Sequence, residues 1–202
     1  MPIDTDALSG GGLNTRPDCI PPWNWKILDP LSGFKSMLEL GNKRWGKRTP
    51  YKQFFHENGM LHVSVDLNGR DGALPLDLRK PLFLGEFDIV TNLGTTEHVS
   101  EQEPVWRNII QAARNVIVST TPKPGTYRGH GLLYPKMEFY SELARLNGFE
   151  VERLYEEPMK KGILICARLV RKERVPFTMP DASLIVKEND RDQYTELIEA
   201  RS

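Results

Sequence analysis

The 202-residue chain balances 27 lysines and arginines against 27 aspartates and glutamates, so no bulk field draws it to DNA or to an anionic membrane. Its length suits one domain with a proper core, and its 39% hydrophobic content, with 16 glycines beside it, lies in the globular range. Cys19 and Cys166 show no metal or redox spacing, no apolar run approaches the roughly 18 residues of a membrane span, and no basic-then-apolar leader opens the chain.

A reduced, cytoplasmic protein with a small-molecule or locally recognised substrate is therefore the expectation. Residues 1–33 read as an N-terminal arm and lid: glycines at 10–12 are followed by Trp23 and Trp25, two indoles that need cover. The predicted elements then run strand 36–41, helix 49–58, strand 61–66, short strand 73–77, strand 86–92, helix 101–114 and strand 115–120. This alternation predicts a parallel sheet. A helix over 134–147 puts Phe139, Leu143 and Leu146 on one face and stops at Gly148, a C-cap residue. Strands 149–155 and 162–170 close the domain, and the short turn between them makes the final strand antiparallel to a neighbour. Residues 171–202 form a charged C-terminal extension, with Tyr194, Leu197 and Ile198 marking a small helix.

Four of the apolar runs end on polar residues: Glu39 with Gly41 behind it, Asp66, Asp77 and Asn92. Side chains at the C-terminal ends of parallel strands line the crevice where open α/β sheets hold ligands, so these four are expected to face one pocket. A single acidic strand end is ordinarily a helix cap or a solvated turn residue. Three in order, each after an apolar run, favour a binding role.

On these residues, 34–170 resembles the class I S-adenosylmethionine-dependent methyltransferases, in which the first strand ends in an acidic residue and a glycine loop and the second and third end in acidic residues. The resemblance implies a doubly wound, Rossmann-like α/β domain with a seven-stranded, mostly parallel sheet and an antiparallel last strand. It implies S-adenosylmethionine as cofactor, with Asp66 on the ribose hydroxyls, Asp77 and the Leu78 backbone N–H on the adenine, and Leu67 packed on the adenine face. Glu39 is placed near the methionine ammonium, and Gly41 and Asn42 form the loop beneath the cofactor. The family usually has Gly-x-Gly-x-Gly there, whereas this chain has Gly41-Asn-Lys-Arg-Trp-Gly46 and keeps only Gly41 in register.

That loop also fits seven positions of a phosphate-binding P-loop, but Arg48 stands where Ser or Thr must reach magnesium, and Thr49 reads as a helix N-cap before Pro50. Lys43, Arg44, Lys47 and Arg48 are otherwise a solvated basic loop. After the fourth run come Glu97 and His98, which the resemblance places on the pocket wall nearest the transferred methyl group; His98 is the candidate base for a hydroxyl acceptor. His130, in a proline- and glycine-rich loop after the fifth strand, is the second candidate, and Tyr127, Arg128 and Tyr134 give that loop the polar variety of substrate recognition. No metal-ligand cluster shows in the sequence, and none is expected. The missing Asn/Asp-Pro-Pro-Tyr/Phe motif argues against amino-methylation of bulk DNA, while the basic loop leaves RNA open. A noncatalytic Rossmann-like module that binds a nucleotide or a protein is the alternative, with nucleotide-triphosphate hydrolysis behind it.

Overall fold

A computed structural model describes residues 16–44 and 50–188. In chain order the elements are α1 (Pro22–Leu28), β1 (Ser36–Leu40), α2 (Tyr51–Glu57), β2 (Leu61–Val65), β3 (Phe87–Leu93), α3 (Gln102–Ala112), β4 (Ala113–Pro122), β5 (Leu133–Pro135), α4 (Met137–Leu146), β6 (Phe149–Met159), β7 (Gly162–Arg171) and β8 (Ile185–Lys187). Six strands form the main sheet in the order β2-β1-β3-β4-β7-β6, and β5 and β8 form a separate antiparallel pair. β2, β1, β3 and β4 are mutually parallel, and β7 runs antiparallel to both β4 and β6.

Strand alternation divides the apolar residues between the two faces of the sheet. Leu38, Leu40, Val90 and Ile117 pack with Trp106 and Ile109 of α3 and Phe139 and Leu143 of α4. Met37, Ile89, Val116 and Val118 pack with Ile27 and Leu28 of α1 and Tyr51 and Phe55 of α2. Helices on both faces make the domain doubly wound, as predicted. The segment around α1 belongs to this core: Arg168 of β7, 2% exposed, donates to the carbonyls of Leu28 at 2.7 Å and Pro30 at 3.0 Å. A charge buried at that depth is tolerated only with such partners.

Four expectations change. The run 73–77 is not a strand; it touches the sheet through one isolated bridge between Val65 and Leu74, because Pro75 has no N–H for a ladder. The main sheet among the described residues thus has six strands rather than seven. The helix expected from Tyr134 begins at Met137, since residues 133–135 pair with β8; Gly148 follows it with φ +71°, the left-handed geometry expected of a C-terminal glycine. β6 extends to Met159 and accommodates Pro158 because it is the sheet edge.

Residues 172–188 fold back on the domain: Asn147 exchanges hydrogen bonds with Thr178, and Phe177 and Met179 pack on the core. The expected helix near Tyr194, the glycines at 10–12, and the loop residues Gly46, Lys47, Arg48 and Thr49 lie outside the described residues; Pro50 itself takes the N-cap position of α2. No helix of the described residues is long and apolar enough to cross a membrane.

Candidate functional site

The C-terminal ends of β1, β2 and β3 open onto a cleft of about 240 Å³ lined by Gly41, Asn42, Asp66, Leu67, Leu78 and Thr95, among others. Asp66 sits one residue beyond β2. Its Oδ2 accepts the Asn42 backbone N–H at 3.2 Å and its Oδ1 accepts that of Asn68 at 2.9 Å. Each carboxylate oxygen has two acceptor sites, so capacity remains on the cleft side. Gly41 has φ +78°, and a Cβ there would lie 2.5 Å from Thr95 Oγ1, a hydroxyl that itself donates to the Leu40 carbonyl at 2.8 Å. The glycine is required by the crossing of two loops.

Three successive amides of this loop are consumed by the protein. Gly41 N–H donates to Val65 O at 2.8 Å, Asn42 N–H to Asp66, and Lys43 N–H to the Glu39 carboxyl group. A phosphate-binding nest needs such amides pointing at an anion from outside, so the described part of the loop lacks the P-loop arrangement. Lys43, unlike the solvated loop residue the sequence predicts, lines the cleft and donates from Nζ to Gly94 O at 2.7 Å.

Two residues expected at the ligand stand elsewhere. Asp77 is not among the cleft-lining residues; Arg79 engages it through its backbone N–H and through its guanidinium on both carboxylate oxygens at 3.0 to 3.1 Å. Although partial burial opposes ionisation, these bonds and the Arg79 charge hold its pKa below the usual value. Asn92 is fully buried, and its amide is taken by Thr95 N, Thr96 N, Thr96 Oγ1 and Ser119 Oγ at 2.8 to 3.2 Å. It shapes the turn after β3. Leu67 and Leu78 do reach the cleft.

Glu39 lies beneath the cleft, 1% exposed, with Oε2 unpartnered and 3.7 Å from Nε2 of His62, a residue with no sequence motif to announce it. Burial pushes the Glu39 carboxyl up to about 8, against the charges of Lys43 and Lys52. Burial, helped by Lys52 and His56, pushes His62 down to about 3. Both are therefore neutral near pH 7, and the contact is not an ion pair. The two groups have opposite linkages. Folded Glu39 keeps a proton that the unfolded chain loses above about 4.5, so its contribution falls as pH rises toward 8. Folded His62 lacks a proton that the unfolded chain binds below about 6.5, so its contribution falls as pH drops toward 3. Between about 6.5 and 8 only the Glu39 effect remains, and stability should decline by up to about 1.4 kcal/mol per pH unit. Urea unfolding of Glu39→Gln across that window should show this slope removed; an unchanged slope would place the titration elsewhere.

A second cavity of about 240 Å³ adjoins the first, sharing Lys43, Gly94 and His98 and adding Trp23, Glu97 and His130. Glu97 and His98 ride on a tight turn after β3 that Gln102 pins through the Thr96 and Val99 carbonyls at 2.8 and 2.6 Å. His130 arrives from the loop after β4, fixed by Leu132 N–H donating to Glu97 O at 2.7 Å. His98 Nε2 lies 3.9 Å and His130 Nε2 3.7 Å from Glu97 Oε1, and the two imidazole centroids are 4.9 Å apart. Burial lowers the His98 pKa, with Glu97 pulling against it. The three candidate catalytic residues therefore converge. Their donor atoms also lie within 4.8 Å of one another, a grouping that sequence spacing did not disclose.

No protein-family model matches the chain, and no curated protein does. Solved structures do. The 1,6-didemethyltoxoflavin-N1-methyltransferase of Burkholderia thailandensis, bound to 1,6-didemethyltoxoflavin and S-adenosylhomocysteine, superposes with a TM-score of 0.58 at 13% identity, over 84% of this chain and 82% of that one. The N-methyltransferase NodS of Bradyrhizobium japonicum, with S-adenosylhomocysteine, gives 0.53 at 12% identity over 69% and 79%. The [4+2]-cyclase SpnF gives 0.54 at 12% identity over 74% and 79%. By these superpositions the chain has the doubly wound, Rossmann-like fold that S-adenosylmethionine-dependent methyltransferases share.

Proposed function

We propose that the protein is an S-adenosylmethionine-dependent methyltransferase acting on a small acceptor. The observation that carries this reading is the convergence of Asp66, Gly41, Leu67 and Leu78 on one cleft, with a second cavity opening beside it. The cleft fits the cofactor's parts: a carboxylate with spare acceptor sites for vicinal hydroxyls, two leucines for a flat base, and the Lys43 ammonium for a carboxylate. Bound there, the cofactor supplies an already activated methyl group. The chain's own residues then have to align the acceptor, exclude water and take up a proton where the acceptor carries one.

Glu97, His98 and His130 wall the second cavity and are the acceptor-side residues. Its small volume and the Trp23 indole at its edge favour a small molecule over RNA. Two buried cysteines with no disulfide and the absence of a membrane-length apolar helix among the described residues support a cytoplasmic location.

Fold likeness to a cyclase shows that this scaffold holds other chemistry, so cofactor binding is the test. In calorimetry, S-adenosylmethionine and S-adenosylhomocysteine should each bind at one site and ATP should not. Absence of both titrations would leave a noncatalytic module as the reading. Gly41→Val should abolish S-adenosylhomocysteine binding, because the new side chain meets Thr95 and strains a left-handed backbone. Lys47→Ala should bind normally; a large loss there would revive the nucleotide reading.

A further inference from the structure

We propose that Glu97, His98 and His130 bind a divalent first-row transition-metal ion of the zinc type at the wall of the second cavity. One donor atom from each of the three lies within 4.8 Å of the other two. Glu97 is the decisive residue. Its side chain is 1% exposed, yet neither carboxylate oxygen has a hydrogen-bond partner. A buried carboxylate left in this condition is costly, and a cation between it and the imidazoles removes that cost. Lys43, which lines the same cavity, does not fill the role: its ammonium donates to the Gly94 carbonyl and neither Glu97 oxygen accepts from it.

The backbone is built for this approach. A Cβ on Gly131 would lie 2.9 Å from both Glu97 Cγ and Glu97 O, so a glycine beside His130 is what allows the loop to press against Glu97. Two imidazoles and one carboxylate are the donor set of catalytic zinc sites and of three-ligand iron(II) sites, with positions left open. Magnesium and calcium prefer oxygen donors alone. Around an ion with bonds of about 2.0–2.1 Å, tetrahedral donors sit about 3.3 Å apart. The separations of 3.7 and 3.9 Å from Glu97 Oε1 are thus a few tenths of an ångström wide and the whole group lies within 4.8 Å, so binding draws the donors together through rotations of the half-exposed His130 and of His98. The open positions face the second cavity, where the methyl-transfer reading places the acceptor. The site itself rests on binding geometry and not on that reading.

The test uses the full chain without a polyhistidine tag. Zinc affinity is measured by competition with a chromogenic chelator, and cobalt(II) uptake by visible absorption. One equivalent of each ion should bind. Glu97→Gln and His130→Ala should each weaken zinc binding at least tenfold, while His56→Ala, which replaces an exposed histidine within α2, should leave it unchanged. Because His130 is half exposed, its variant reports on the site rather than on folding, which circular dichroism verifies. The inference is overturned if the wild-type chain takes up no stoichiometric ion, or if the Glu97→Gln/His98→Ala/His130→Ala variant retains wild-type affinity. S-adenosylhomocysteine titrated in the presence of a chelator separates the two readings: binding there without zinc uptake in the first experiment sinks the metal site alone, and zinc uptake without cofactor binding sinks methyl transfer alone.

Discussion

Asp66→Ala is expected to weaken S-adenosylhomocysteine binding at least tenfold, about 1.4 kcal/mol, in a protein that remains folded. The residue is fixed just past β2 by its own backbone, whose N–H donates to Leu74 O at 3.0 Å. Its carboxylate spans the gap between the loop after β1 and the turn after β2, accepting one amide from each. A carboxylate held in place on both oxygens with spare acceptor sites toward the cleft is suited to two vicinal hydroxyls, and each such bond is stronger for being charge-assisted. Alanine removes these acceptors and loosens Asn42 as well. Asp66→Asn, which keeps the shape and one acceptor oxygen, should fall between wild type and Asp66→Ala. Unchanged affinity in a folded Asp66→Ala protein would remove the central claim of the cofactor reading.

The reach of the sequence is clearest in the contrast between Asp66 and Asp77. Both follow an apolar run, yet only the first run is a strand. Pro75 breaks the second, and Arg79, two residues beyond Asp77, captures its carboxylate locally; that short-range partner is visible in the sequence, though strand-end periodicity gives it no weight. Glu39 shows a different limit. Its strand was legible, but β1 lies between β2 and β3, and Glu39 sits within the strand rather than past its end, so the loop at Lys43 roofs it. His62 approaches it from the neighbouring strand through a register that no motif encodes. The Glu97–His98 pair was readable as a pair. Its third member, His130, comes from a distant loop whose path is set by contacts at Glu97 and Gly131, and only the folded chain puts the three together.

The second large effect concerns the acceptor side. Once an acceptor is in hand, His98→Ala should lower turnover by about two orders of magnitude, within the range of a positioned proton-transfer group, with little change in S-adenosylhomocysteine affinity. His98 is held on a turn locked by Asn92 and Gln102, so its imidazole keeps one place between the two cavities. His130 lines the second cavity alone, so His130→Ala should lower turnover at least tenfold and leave cofactor affinity untouched. A metal ion and a proton acceptor then separate by rescue. Excess zinc should restore part of the His130→Ala loss if the imidazole is a ligand, and none if it is a base. Full turnover by both variants would mean that these histidines are structural and that alignment of the acceptor is sufficient for transfer.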